Sequence, residues 1–487
     1  MTVMQEAGSP AGGAMRADAP KSDQGGVERL SIWRLAAYGQ LVVPLSVVGL
    51  PLAVYLPAFY GGTLGLNLAL VGVVMMVARI TDVATDPLIG YLSDRTRTRW
   101  GRRRPWVALG IPVMLVSAVM LFMPQGEVTA GYLLLWIAAL YFGFTLIGIP
   151  YIAWGAELSG DYRERSRVTG AREIFMQLGL LMAITAPIVG AALTGAEPQG
   201  TSVNRDSMAA LGLLTIVTLP IAAIFLFCFV PEPRATHVYT VPLRKGLKIA
   251  VSNGPFRIVL ISTLIGAFAA SINAGTALLF FDHVADLGEG GMLLILVLFV
   301  SALIGAPFWI GIGGKVSKHG GIAIAGGVSL AAFALVPVII YGVKPVAPEL
   351  VLWLFLATAV IQGFASGATP ILGASMIADV TDLDALRSGE QRAGFMFAFL
   401  GMARKVCEAA GIGLALPFLA WMGFDPQSTD NSAQAEFALL SAYCLVPLVL
   451  WIISILVILR YPLTHERQVR LRAALERRIE RQRAKAG

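Results

Sequence analysis

The chain has 487 residues, 56% of them hydrophobic and only 14% charged, with a formal net charge of +7 and a mean hydropathy of +0.73. A water-soluble chain would carry about a quarter charged residues, so composition excludes an ordinary soluble fold and indicates a polytopic membrane protein. The positive balance is no argument for nucleic acid, because Lys and Arg gather between apolar runs and in the tail, as membrane topology requires.

Residues 1–32 are rich in Gly, Ala, Ser and Asp and lack the apolar core of a signal peptide. They read as a disordered cytoplasmic tail. Twelve apolar runs follow, long enough for the roughly 20 residues that cross a bilayer. They fall at 33–60, 64–93, 106–124, 131–157, 168–194, 207–230, 255–283, 291–312, 321–342, 350–378, 392–422 and 436–460. The segment from 461 to 487 is basic and reads as a second cytoplasmic tail, either a short helix near an anionic membrane surface or a solvated segment that only reinforces orientation.

The second run carries the most information. Arg79, Asp82 and Asp86 are spaced 3 and 4 apart, so a helix puts them on one face. A charge at mid-bilayer costs roughly 2.5–3.5 kcal/mol on insertion scales, so such charges face a partner or a cavity. The loop that follows, Asp94 to Arg104, holds six arginines and one aspartate. Its glycine neighbours, Gly90 and Gly101, permit close packing and turns.

Other polar residues are scattered through later runs. Run 5 opens with Arg172 and Glu173, and run 11 carries Arg404, Lys405 and Glu408. Tyr38, Tyr151, Trp154, Asn273 and Gln362 are aromatic or amide residues within runs, the kind that line sites for polar organic ligands. They serve equally as interfacial belts or helix glue. Cys228, Cys407 and Cys444 all lie in apolar runs and read as small buried hydrophobes. No catalytic or metal-ligand spacing occurs within the runs, so neither an enzyme nor a cofactor or metal is expected.

Charge asymmetry orients the runs. Nearly all loop Lys and Arg follow runs 2, 4, 6, 8 and 10, whereas the other loops hold only Arg205 and Lys344. The positive-inside rule then places both termini in the cytoplasm, and the expected location is the cell's inner (plasma) membrane. The long connection 231–254 divides the chain into a six-run unit at 33–230 and another at 255–460. The loop after run 8, Gly311–Gly321, is again glycine-rich and basic, matching the loop after run 2. That is the trace left by two parallel halves, whose binding site lies between them at mid-membrane.

These features resemble the major facilitator superfamily: twelve spans in two halves, with a glycine, acid and arginine-rich loop after span 2. More narrowly, ARITDVATDPLIG and WGRRRPW resemble the glycoside–pentoside–hexuronide:cation symporters of the melibiose-permease type. Residues Ala378–Gly394, placed at the loop between spans 10 and 11, resemble that family's second signature. The sodium-coupled lysolipid carriers of animals share the ancestry. The resemblance implies an all-α fold of two pseudo-symmetric six-helix bundles that works by alternating access.

It also implies residue roles. Asp82 and Asp86 match the carboxylates that bind the coupling cation. Their oxygens suit Na⁺ by analogy with other hard cations, and a desolvated carboxylate can instead carry a proton. Lys405 matches the family's span 11 lysine near that site. Arg172 resembles an arginine that contacts sugar. Arg79 and Glu408 are candidates for the same network, as pairs that hold one conformation and release in another. Gly90, Asp94, Arg95, Gly101, Arg102 and Arg103 resemble the superfamily's cytoplasmic gate. Asp379, Asp382 and Arg392 are candidates for an answering lock in the second half.

The chain departs from the sugar-transporting members where they place a span 4 aspartate and tryptophan, because Gly148 and Ile152 stand there. Ser46 stands where they have a sugar-binding acid in span 1. Lost oxygen ligands weaken a sodium cage more than a proton carrier, which favours H⁺ while keeping Na⁺ open. The expected function is cation-coupled symport of a sugar, glycoside, uronide or related polar solute. The alternative is a proton-coupled exporter or a carrier of a lipid-like or aromatic compound. The expected partners are a small-molecule substrate, a monovalent cation and the lipid bilayer, with no nucleic acid, and the expected state is a monomer.

Overall fold

Short polar side chains set many of the helix starts. Ser31, Asn67, Thr129, Asn204, Asn253, Ser317 and Ser432 each accept a hydrogen bond from a backbone N–H of the first turn. Such caps satisfy donors that have no partner within the helix. The computed structural model describes residues 29–158, 162–194, 203–232, 253–313, 317–388, 393–428 and 430–462. Arg392, most of the 231–254 connection and nearly all of both tails lie outside the described residues.

Among the described residues twelve helices result, numbered here α1 to α12. They are Ile32–Thr63, Leu68–Arg95, Arg104–Phe122, Ala130–Glu157, Tyr162–Thr194, Arg205–Phe229, Gly254–His283, Gly290–Gly313, Lys318–Val343, the pair Pro348–Ser366 and Ala368–Ser388, Ala393–Trp421, and Ala433–Ile458. Eleven helices among the described residues are long and apolar enough to cross a membrane. The exception, α11, is 29 residues long and carries Arg404, Lys405 and Glu408 along its middle. Exposed apolar stripes face outward, such as Leu213, Val217, Ile221 and Ile224 on α6. That spacing makes one lipid-facing surface.

Most boundaries fall within a few residues of the apolar runs. The largest difference is α10, which continues to Ser388 and therefore carries Asp379 and Asp382 on a helix rather than in a loop. Its apolar stretch ends earlier, and Lys318 of α9 pairs with Asp379 where it ends. Wider π-type turns close α1 at Ala58–Thr63 and α9 at Ile339–Val343, and interrupt α12 at Ser441–Leu445. Of the cysteines, Cys444 is buried and Cys407 half-buried, whereas Cys228 is exposed on α6.

The packing repeats with an offset of six helices. In the first half α1 packs on α5 and α6, α2 on α4, and α3 on α4 and α6. In the second half α7 packs on α11 and α12, α8 on α10, and α9 on α10 and α12. The contacts between halves obey the same operation: α2 meets α11, α8 meets α5, and α1 meets α7. The chain is thus an all-α membrane protein of two pseudo-symmetric six-helix bundles.

Glycines set how closely these helices approach. A Cβ on Gly72 of α2 would lie 2.8 Å from Leu416 Cβ and Pro417 Cδ of α11. One on Gly275 of α7 would lie 2.7 Å from Ile412. Beyond them, Gly65, at φ +74°, lies under Gln427, and Pro426 rests beside Gly61. The two halves are therefore sealed at the end opposite the arginine-rich turn. Within the second half, a Cβ on Gly363 of α10 would run into the backbone carbonyl of Leu298 on α8. Gly363→Val is expected to cost about 1–3 kcal/mol by overpacking, read as a lower melting temperature of the purified protein.

Candidate functional site

The seam between α2 and α11 holds a charge cluster at its middle. Asp82 projects from α2 with its side chain only 1% exposed. Asp86 lies one turn on, at 17%. The Lys405 ammonium of α11 sits against both, 2.9 Å from Asp82 Oδ2 and 2.5 Å from Asp86 Oδ2. The other oxygens face Thr145 of α4, whose Oγ1 is 2.7 Å from Asp82 Oδ1 and 2.9 Å from Asp86 Oδ1. A hydroxyl has a single hydrogen, so Thr145 shares it between two acceptors.

Arg79 extends the cluster. It reaches Asp82 Oδ2 at 3.4 Å and Glu408 Oε2 of α11 at 3.1 Å, and lies over the ring of Tyr141, 4.9 Å from its centroid. Glu408 also pairs with Arg404 at 2.7 Å, and its carbonyl accepts a hydrogen bond from Ser271 of α7. Three acids and three bases thus balance one another across the boundary between the halves. Removing one partner from a buried pair typically costs about 3–5 kcal/mol, because the remaining charge stays desolvated.

The sequence reading missed Thr145. Span 4 has no acid at the family's position, Gly148, and a threonine carries no charge to mark it as a ligand. Thr145 lies three residues earlier, almost one turn, and its face continues to Ile149 and Ile152. Ile152 is exposed, so the wall below the carboxylates toward the arginine-rich end is apolar. Ser46 is buried on α1 against α5, next to Gly179.

The other aromatic and amide candidates are held inside the bundles. Tyr38 and Tyr151 stack at 4.5 Å and each donates its hydroxyl to the other's backbone carbonyl. Trp154 is buried and donates to Pro231 O at 2.9 Å. Asn273 donates to Tyr443 O, a carbonyl within the widened turn of α12. Gln362 is half-buried on α10. Arg172 pairs with its neighbour Glu173 at 2.6 Å, although the two side chains start about 100° apart on the helix.

At the basic end, Arg103 is the hub of a second cluster. Its guanidinium, 2% exposed, donates to Ser93 at 2.9 Å and pairs with Asp94 at 2.6 Å and Glu157 at 2.7 Å. Burial works against this charge, but Glu157 and Asp94 outweigh it and hold Arg103 protonated above its ordinary range. Arg102 joins Glu157 at 2.5 Å. Glu232, just past α6, accepts the backbone N–H groups of Arg102 and Arg103 through Oε1, each at 2.7 Å. Gly101, at φ +107°, makes the turn. Its Cβ would clash with Glu232. Arg95 lies over Tyr91, 4.0 Å from the ring centroid. Gly90 faces Ile149 of α4, with ordinary contact distance for a Cβ.

In the second half Asp379 pairs with Lys318 at 2.5 Å, linking α10 to α9 within that half. Asp382 is half-buried on α10. Sequence spacing could have suggested Lys318, which lies in the Gly311–Gly321 repeat of the arginine-rich loop.

Comparison with known proteins follows the same lines. The profile of the family described as MFS/sugar transport protein matches residues 37–465. The inner membrane symporter YicJ of Escherichia coli (strain K12) is 23% identical over 455 residues, covering 89% of this chain and 92% of that protein. The sodium-dependent lysophosphatidylcholine symporter 1 of Xenopus tropicalis is 23% identical over 494 residues, covering 94% and 92%. Among solved structures, a D-xylose-proton symporter superposes with a TM-score of 0.62 at 14% identity, over 89% of this chain and 98% of that one. The nucleoside transporter NupG gives 0.61 at 16%, over 88% and 98%.

Proposed function

This chain belongs to the MFS/sugar transport protein family, and we propose that it is a cation-coupled symporter of a polar organic solute. One observation carries the reading: the Lys405 ammonium bridges Asp82 and Asp86 across the boundary between the two halves. A transported cation bound by Asp82, Asp86 and Thr145 displaces that ammonium. Its departure loosens α11 from α2, and the halves are then free to re-pair around the solute. Coupling is reciprocal, so each ligand binds better when the other is present.

Both Na⁺ and H⁺ fit the site. Thr145 restores an oxygen ligand from α4 and so strengthens the case for Na⁺. A proton on either aspartate would equally release one contact to Lys405. The decisive experiment is uptake into vesicles under imposed Na⁺ and H⁺ gradients, one at a time, with a panel of sugars, glycosides and uronides. Accumulation driven by neither gradient overturns the proposal.

Thr145 gives a finer test. Losing a hydrogen bond to a charged group is worth about 1.5–3 kcal/mol, or roughly a 10- to 150-fold change in affinity. Thr145→Ala is expected to raise the cation concentration for half-maximal uptake by about that factor. Thr145→Ser, which keeps the hydroxyl, is expected to stay near wild type.

A second reading rests on the apolar wall at Ile149 and Ile152. It supports a carrier of a lipid-like or aromatic compound, in keeping with the similarity to a lysophosphatidylcholine symporter. Including lysolipids in the uptake panel, and testing efflux of preloaded compound against an outside proton supply, separates the two readings.

A further inference from the structure

The arginine-rich turn has more cationic charge than its ion pairs use. Arg102 and Arg103 are held by Glu157, and Arg95 lies on Tyr91. Arg99, at the tip, is exposed and enters no ion pair among the described residues. Beside it, Trp100 is 71% exposed. Thr98 and Gly101 bridge the base of this tip, so it is a fixed turn.

A groove of roughly 650 Å³ opens there, lined by Arg99, Trp100, Arg104, Ala108, Phe227 and Glu232. Its walls come from the first turns of α3 and the last turns of α6, which pack side by side. The next residues on both helices form exposed apolar surface: Leu109 and Val116 on α3, Phe225 and Phe229 on α6. The groove therefore starts at the charged turn and runs toward the lipid-facing sides of two helices. A tryptophan and arginines at a helix end occupy headgroup depth in a membrane.

Two polar atoms in the groove wall are buried without a hydrogen-bond partner, Arg104 Nε and Glu232 Oε2. They lie 3.7 Å apart, too far for a good hydrogen bond. The groove's charges are Arg99, Arg104 and Glu232, a sum of +1. One phosphodiester, at −1, neutralises it and meets the part of the Arg104 side chain that is open to the groove, 30% exposed.

We propose that this groove binds one anionic phospholipid, its phosphodiester against Arg99 and Arg104 and one acyl chain laid between α3 and α6. Trp100 covers the headgroup side. Because Glu232 holds the backbone of the gate turn and Arg104 ties its end to Val230 O at the end of α6, the bound lipid braces the turn from the membrane side. The site is separate from the Asp82–Asp86 cluster and stands whatever the transported solute is.

Native mass spectrometry of the full chain in mild detergent tests this, with titrations of dioleoylphosphatidylglycerol and dioleoylphosphatidylcholine. The wild type should retain one phosphatidylglycerol in preference to phosphatidylcholine. Arg99→Gln should cut that preference about fivefold, the worth of one arginine at a membrane surface. Arg99→Lys should recover most of it. Arg99 is exposed and unpaired, so the melting temperature in phosphatidylcholine should not move. Equal retention of both lipids, an unchanged preference in Arg99→Gln, or competition by free glycerol 3-phosphate as strong as by the lipid each overturns the proposal. The last would assign the groove to a soluble phosphate compound.

Discussion

Replacing Asp82 or Asp86 by Asn is expected to abolish gradient-driven accumulation while the protein still reaches the membrane. Each aspartate accepts from Thr145 and faces Lys405, so each is half of the same cage. Coupling free energies between two ligands are usually about 1–3 kcal/mol, or 5- to 150-fold in affinity. Loss of that coupling removes the effect of the cation on substrate affinity by a factor in that range. The two variants should differ in stability. Asp82 is buried and also faces Arg79, so Asp82→Asn leaves two cations short of a partner. Asp86 is partly exposed and, among the described residues, pairs with Lys405 as its one base. Asp86→Asn should therefore keep solute exchange across the membrane at equal concentrations while failing to concentrate it. Uptake, exchange and melting temperature on the same preparations decide the matter. Accumulation that survives both substitutions would sink the cation site.

The second large effect is expected at Lys405. Lys405→Gln removes the cation that stands between two carboxylates bonded to one hydroxyl. An unpaired buried charge costs about 3–5 kcal/mol, enough to threaten a domain of ordinary stability. Added coupling cation should reverse the loss, since it fills the vacated place. The expected record is a melting temperature that rises steeply with Na⁺, or with falling pH, in Lys405→Gln and much less in the wild type. The double variant Lys405→Gln/Asp86→Asn should regain stability without cation, because one charge has gone from each side. A variant whose melting temperature ignores both Na⁺ and pH would count against displacement of Lys405 by the transported ion.

Much of this could be read from the chain. Long apolar runs announce helices because a bilayer leaves the backbone no other partner. Arg79, Asp82, Asp86, Lys405 and Glu408 stood out because charge inside such runs is costly, and the structure brings them together. The facing of uncharged polar residues was not legible. Thr145 reads as one more hydroxyl in an apolar helix, and only the proximity of α2 gives it two carboxylates. Tyr38, Tyr151 and Trp154 suggested a ligand site by type, but their polar atoms meet backbone carbonyls inside the first half. Nothing in the sequence marks Glu232, because its partners are main-chain N–H groups 130 and 129 residues away. The extension of α10 to Ser388 escaped hydropathy for a related reason. The helix leaves the apolar stretch near Asp379, whose partner Lys318 comes from α9.

The sealed seam at Gly72, Leu416 and Pro417, where Gly413 of α11 likewise lies against Met76 of α2, has a thermal consequence. Parting α2 from α11 there wets apolar surface, and each Å² so exposed adds about 0.45 cal/K/mol to the heat capacity. On the proposed mechanism, the equilibrium between the closed and the opened form must then curve with temperature. Cooling weakens the apolar contact that keeps the seam shut, so the balance shifts toward the opened form in the cold. The turnover rate of this carrier should bend on an Eyring plot even where the lipid stays fluid, with the bend set by the area hidden behind two glycines.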